Sequence, residues 1–129
     1  MIYSPAVPIL KDEEGNYLDD LKTVSILTAP AVNTGAVKRN EPKHIPKIEP
    51  TMRQRIAKVL AVALDNKHEV LVLGAWGCGV FQNNPIDIAL YFQEILDSPA
   101  FRNRFSKIVF AIYARDERFI RPFQAVFEQ

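Results

Sequence analysis

Apolar residues run along this chain in short blocks of two rhythms. Residues 1–10 are apolar but contain Pro5 and Pro8, so they predict a strand confined to an edge or a terminus. The polar stretch from Lys11 to Asn16 closes on Gly15-Asn16, a turn signal. Thr23 to Ala29 alternates and then becomes more apolar, which predicts a second strand. Residues 30–50 hold Pro30, Pro42, Pro46 and Pro50 among Lys38, Arg39, Lys43, His44 and Lys47, and predict a long loop. Near Thr51 the rhythm becomes helical. Met52, Ile56, Val59, Leu60, Ala63 and Leu64 form one apolar face, with Arg53, Arg55 and Lys58 mainly opposite. Glu69 to Leu73 predicts a short buried strand. Asn84 suits an N-cap and Pro85 a first helical position, so a second helix starts there and buries Ile86, Ala89, Leu90, Phe92, Ile95 and Leu96. Ser98-Pro99 ends it. Lys107 to Tyr113 predicts another buried strand, and about 117–128 a last helix burying Phe119, Ile120, Phe123, Val126 and Phe127.

The order β-β-α-β-α-β-α points to an α/β fold, a mostly parallel sheet with helices on its faces. Ligands of such sheets bind beyond the C-terminal ends of the strands. Residues 74–83 lie at one such end. With 129 residues, the chain is long enough for one modest domain with a real core.

Composition narrows the classes. Apolar residues make up 48% and charged residues 24%, which fits a folded globular protein rather than a disordered one. A net charge of +1 gives no bulk electrostatic reason to bind nucleic acid. The one cysteine, Cys78, excludes an internal disulfide framework and suits a reducing compartment. No apolar run spans a bilayer and no signal-peptide pattern opens the chain, so the expected location is cytoplasmic.

The candidate chemistry lies in Leu71-Val72-Leu73-Gly74-Ala75-Trp76-Gly77-Cys78-Gly79-Val80-Phe81, where a strand runs into a glycine-rich turn ahead of a helix. Glycines at 74, 77 and 79 allow positive φ and leave the backbone open to a ligand. Successive amides in such a turn form an anion nest, and a helix start adds to it. Pro85 has no N–H, so the donors come mainly from the loop. Trp76 and Phe81 could cover a sugar or base. The spacing is neither a Walker loop nor a dinucleotide fingerprint, and a tight turn with no ligand explains the glycines equally well. Cys78 beside a helix start is a candidate nucleophile, although no histidine is close in sequence. His44 and His68 lack ligand-spaced partners, so neither metal nor cofactor is expected. The Lys38–Lys47 stretch reads as a solvated loop that could meet phosphates. Arg115-Asp116-Glu117-Arg118 reads as a helix entry with Asp116 as its N-cap, and a ligand role is the second reading.

The run Leu73-Gly74-Ala75-Trp76-Gly77-Cys78-Gly79-Val80-Phe81, with Asn84-Pro85 and Val109-Phe110-Ala111-Ile112, resembles the microbial-type poly(ADP-ribose) glycohydrolases, macrodomain proteins that bind ADP-ribose. Met1-Ile2-Tyr3-Ser4-Pro5, Asp12, Gly15 and Ala29-Pro30-Ala31-Val32-Asn33 match the middle of that family, so the resemblance covers nearly the whole chain. It implies a macrodomain-like sheet truncated at its N-terminus, a partial domain over residues 1–129. It also implies a ligand site over Gly74, Ala75, Trp76, Gly77, Cys78, Gly79, Val80 and Phe81. In that site Gly77 to Val80 line the diphosphate, and Phe81 packs on the distal ribose or shapes the pocket. The family's catalytic signature, a triple glycine followed by a glutamine and two adjacent glutamates, has no counterpart here. Glu13-Glu14 is the only adjacent glutamate pair and sits in a polar turn. The implied partner is ADP-ribose or its polymer. Self-association or pairing with an upstream half is expected, because an incomplete sheet leaves an edge or apolar face open.

Overall fold

The computed structural model describes residues 1–128, which fall into two compact units, residues 1–30 and residues 31 onward. The first is a β-hairpin. Strand β1 (Ile2–Lys11) pairs antiparallel with β2 (Tyr17–Thr28), Ile2 opposite Thr28 and Lys11 opposite Tyr17. The register shifts between Ser4 and Val7, where Pro5 cannot donate to the ladder and Ala6 has φ 52°. The second strand thus begins six residues earlier than its apolar alternation, at Tyr17. Charged positions through Lys22 belong to it because both faces of the ribbon are largely exposed.

The second unit is the α/β body. Its elements are α1 (Thr34–Asn40), a 3₁₀ turn (Pro42–Lys47), α2 (Ile48–Asp65), β3 (Val70–Leu73), α3 (Pro85–Leu96), β4 (Lys107–Phe110), a second 3₁₀ turn (Glu117–Phe119) and α4 (Arg121–Phe127). β3 and β4 pair in parallel, Val70 opposite Lys107 through Leu73 opposite Phe110. The four strands thus form one antiparallel pair and one parallel pair among the described residues.

The expected loop over 30–50 is wrong for most of its length. Asn33 caps α1, its Oδ1 accepting from the Ala36 amide at 2.9 Å. Pro42 stands at the start of the 3₁₀ turn, and Pro50 lies in the first turn of α2, where a missing N–H leaves no bond unmade. The last helix also differs. Pro122 divides residues 117–128 into a 3₁₀ turn and a seven-residue helix, with Asp116 Oδ1 capping the first through the Arg118 amide at 2.9 Å.

The core gathers Met52, Ile56 and Leu60 of α2, Ile88, Ala89 and Phe92 of α3, and Phe123 of α4. Phe110 of β4 meets Phe92 edge-on at 5.4 Å and stacks on Phe127 at 4.6 Å. On α3 the buried stripe runs through Ile88 and Phe92, with Ile95 and Leu96 packed behind. Ile86 and Leu90, expected inside, face out at 54% and 38% exposure. Residues 88, 92, 95 and 96 keep the i, i+4, i+7, i+8 spacing of one face, and 86 and 90 fall off it.

Candidate functional site

The loop from Gly74 to Asn83 leaves the C-terminal end of β3. The segment from Ala111 leaves the neighbouring end of β4, with the Ala111 amide extending the ladder to the Leu73 carbonyl at 2.8 Å. Parallel pairing therefore brings the two connections side by side, where an α/β sheet holds its ligands. A cavity of about 370 Å³ lies between them, lined by Ala75, Cys78, Gly79, Tyr113, Arg115 and Asp116 among others. A second, of about 620 Å³, lies between Gly79, Gln82, Asn84 and Ile86 on one side and Arg118 and Arg121 on the other.

Three loop amides are used within the loop. Cys78 donates to the Ala75 carbonyl at 3.0 Å, Gln82 to Gly79 at 3.0 Å, and Asn83 to Gly77 at 3.1 Å. The amides of Gly79, Val80 and Phe81 donate to no group among the described residues. Gly79 is exposed, and Val80 is 89% exposed. The loop therefore presents a run of three consecutive unpaired N–H groups, a donor set suited to an anion.

Its glycines differ in kind. Gly77 has φ +75°, and a Cβ there would stand 2.5 Å from both Ala31 Cβ and Asn83 Nδ2. At Gly74 the nearest atom to a Cβ would be the Ala111 carbonyl at 3.5 Å, an ordinary contact. Gly79 is not in the left-handed region, and a Cβ would meet nothing within 4 Å. Folding requires a glycine at 77 and does not require one at 79.

Asn83 closes the loop. It is buried, its Nδ2 donating to the Val32 carbonyl at 2.8 Å and the Gly77 carbonyl at 3.0 Å, and its Oδ1 accepting from Thr34 Oγ1 at 2.7 Å. The Gly35 amide donates to the Phe81 carbonyl at 3.1 Å. Beyond the loop, Asn84 Oδ1 caps α3 by accepting from the Ile86 amide at 3.0 Å. The capped start, with Pro85 and the acidic Asp87 in its first turn, leaves the helix little to offer an anion. The donors are the loop's.

Trp76 and Phe81 are half-buried and pack against the core. Cys78 is 5% exposed, its Sγ 3.9 Å from the Trp76 carbonyl, and burial pushes its thiol up to about 12. At neutral pH it is a protonated thiol with no neighbouring base, which rules against the nucleophile expectation. Around the cavities, Arg118 pairs with Asp116 at 2.9 Å and Arg121 with Glu117, whereas Arg115 has no ion pair among the described residues. Asp116, the carboxylate lining the smaller cavity, is held by that ion pair and by its capping bond. The basic stretch before α2 stays exposed, with His44 beside Glu41 at 3.4 Å. No group of three or more metal-ligating side chains occurs among the described residues, and no helix is long and apolar enough to cross a membrane.

The sequence alone did not single out Asn83, Tyr113 or Arg121. Asn83 stands next to the cap Asn84, and nothing in residue type tells the buried asparagine from the exposed one. Arg121 reaches the loop only through the β3–β4 pairing.

No family model matches the chain, and no curated protein does. Solved structures do. The chain is 40% identical to the poly(ADP-ribose) glycohydrolase of Deinococcus radiodurans in complex with ADP-ribose, covering 98% of this chain and 51% of that one, with a TM-score of 0.92. Against the apo form of the same enzyme the TM-score is 0.90. The glycohydrolase of Thermomonospora curvata matches at 40% identity over 97% of this chain and 46% of its own, with a TM-score of 0.85. The chain spans about half the length of the solved relatives it matches.

Proposed function

We propose, for a chain that folds as about half of a microbial-type poly(ADP-ribose) glycohydrolase, that its glycine loop binds ADP-ribose through the diphosphate and that hydrolysis needs groups this sequence does not contain. The observation that carries the reading is the run of unpaired amides at Gly79, Val80 and Phe81. Its position suits a dinucleotide-like ligand. Arg115 adds an unpaired positive charge beside the loop, and the fully exposed Tyr113 ring lines the same cavity, available to a base or ribose. Gly79 supports the same reading, because a glycine that folding does not need leaves the backbone clear for a ligand.

Cleaving a ribose–ribose bond needs a carboxyl group to protonate the leaving oxygen. The sequence has no triple glycine and no glutamine followed by paired glutamates. Its single glutamate pair, Glu13-Glu14, lies in the exposed turn of the hairpin. Asp116 is already engaged. The reading is therefore of binding without cleavage by this chain alone.

The β3–β4 pair supports a further partner. Val70, Val72 and Val109 are 55%, 71% and 38% exposed, whereas parallel strands are normally covered on both faces. A complementary segment corresponding to the rest of the relatives' length would cover them and supply the acid, and a reducing, cytoplasmic setting suits the free thiol.

Calorimetric titration with ADP-ribose tests the site. The wild-type chain should bind, and Gly79→Val should lose at least tenfold in affinity while its melting temperature stays within about 2 °C. Equal binding by both proteins, or no heat and no thermal shift at millimolar ADP-ribose, overturns the reading.

A further inference from the structure

We infer that Thr34 and Asn83 form a two-residue lock that positions the anion-binding loop, and that the segment 31–35 is part of the site through the bonds it makes to that loop. The inference rests on the reading that the amides of residues 79–81 bind the diphosphate.

Thr34 and Asn83 are the two buried polar residues among those described, and each is the other's side-chain partner. Asn83 uses every donor it has. Its two Nδ2 hydrogens go to the Val32 and Gly77 carbonyls, its Oδ1 takes the Thr34 hydroxyl, and its own amide returns to Gly77. Only a carboxamide supplies two donors and an acceptor in that space. A carboxylate would set an acceptor against two carbonyls, and an apolar residue would strand the Thr34 hydroxyl and the Val32 carbonyl.

These bonds fix both ends of the segment that carries the free amides. Gly77 is pinned by two bonds from Asn83, and Phe81 is pinned by its carbonyl accepting from Gly35. Between those points, the Gln82 amide closes a turn onto the Gly79 carbonyl at 3.0 Å, and the N–H groups of residues 79–81 donate to nothing among the described residues, so where that turn aims them follows from its anchored ends. The lock holds those ends from outside. A Cβ at Gly77 would stand 2.5 Å from both Ala31 Cβ and Asn83 Nδ2, so the Gly77 backbone packs directly against the lock. An anion nest binds in proportion to how well its donors are pre-aligned, so affinity depends on the two residues that hold the loop in place.

The test uses the Thr34 hydroxyl, whose removal is isosteric. Thr34→Val should weaken ADP-ribose binding about tenfold, the scale of one buried hydrogen bond with its partner left unpaired. It should also move the backbone amide resonances of Gly79, Val80 and Phe81 at a temperature where the variant is fully folded. Thr34→Ser, which keeps the hydroxyl, should restore both to within about twofold of wild type, a rescue that loss of general stability does not predict. Asn83→Ala removes three side-chain bonds at once and should lose more, and Thr34→Val carries the test if that protein does not fold. Binding by Thr34→Val within twofold of wild type, with the 79–81 resonances unmoved, overturns the lock. If the wild-type chain itself fails to bind ADP-ribose, the functional reading falls, and the resonances alone then decide the positioning claim.

Discussion

The chain turns twice on a left-handed glycine, and the two turns are built for different ends. Gly15, at φ +88°, joins the hairpin strands, and a Cβ there would meet nothing within 4 Å. Gly77, at φ +75°, sits where a Cβ would collide with Ala31 and Asn83. Around Gly15 the polar groups satisfy one another in solvent, with the Asn16 amide donating to Asp12 Oδ1 at 2.8 Å and the Gly15 amide to the Asp12 carbonyl at 3.2 Å. Around Gly77 the Asn83 side chain satisfies carbonyls out of solvent, whereas the consecutive amides at 79–81 donate to nothing among the described residues. A turn that only reverses the chain closes its hydrogen bonds locally. A turn suited to a ligand closes some and leaves a set open.

The largest expected effect breaks the second turn. Gly77→Ala forces a side chain into the left-handed region, at about 1–2 kcal/mol. It also pushes a methyl group against two packed neighbours, at about 1–3 kcal/mol more. The same change at Gly15 carries only the first cost, about 1 kcal/mol. Denaturant unfolding of the two variants should rank them in that order, and equal losses would mean that Gly77 is no more constrained than a solvent turn.

Chemical reactivity is the next contrast. Cys78 shares the loop with the open amides but lies beneath it, and burial raises its thiol to about 12. Iodoacetamide at pH 8 should therefore modify the native chain at least a hundredfold more slowly than the urea-unfolded chain, whose ordinary thiol sits near pKa 8.5. Labelling at comparable rates would place the thiol in an open, activating position and reopen the nucleophile reading.

What was legible in the sequence divides along the same line. β3, β4 and the capped start of α3 were readable because their signals are local: short β-branched runs, and Asn84 followed by Pro85. The glycine loop was readable as a place, because three glycines follow a strand. Its wiring was not, since Asn83 and Thr34 are 49 positions apart and only the folded chain shows that they meet. The segment before α2 was misjudged because proline and cationic residues commonly mark loops, whereas here Pro42 and Pro50 occupy helix-start positions that tolerate proline. The expected strand alternation missed Tyr17 to Lys22 because a ribbon exposed on both faces imposes no such pattern.

The smallest expected effect lies in the solvent turn and sharpens what closed locally means. The Asn16 amide, together with its side-chain amide at 3.2 Å, holds the Asp12 carboxyl below the ordinary 3.8. Because the folded value is the lower one, the turn's stabilisation is complete above the unfolded carboxyl's pKa and is lost as pH falls through the lowered folded value. The carboxyl is fully solvated, so the change should be slight and confined to the hairpin. Following the Asn16 amide resonance against pH should give a midpoint below 3.8 in the wild type and no such titration in Asp12→Asn. A midpoint at or above 3.8 would show that the Asp12–Asn16 bond does not persist in solution.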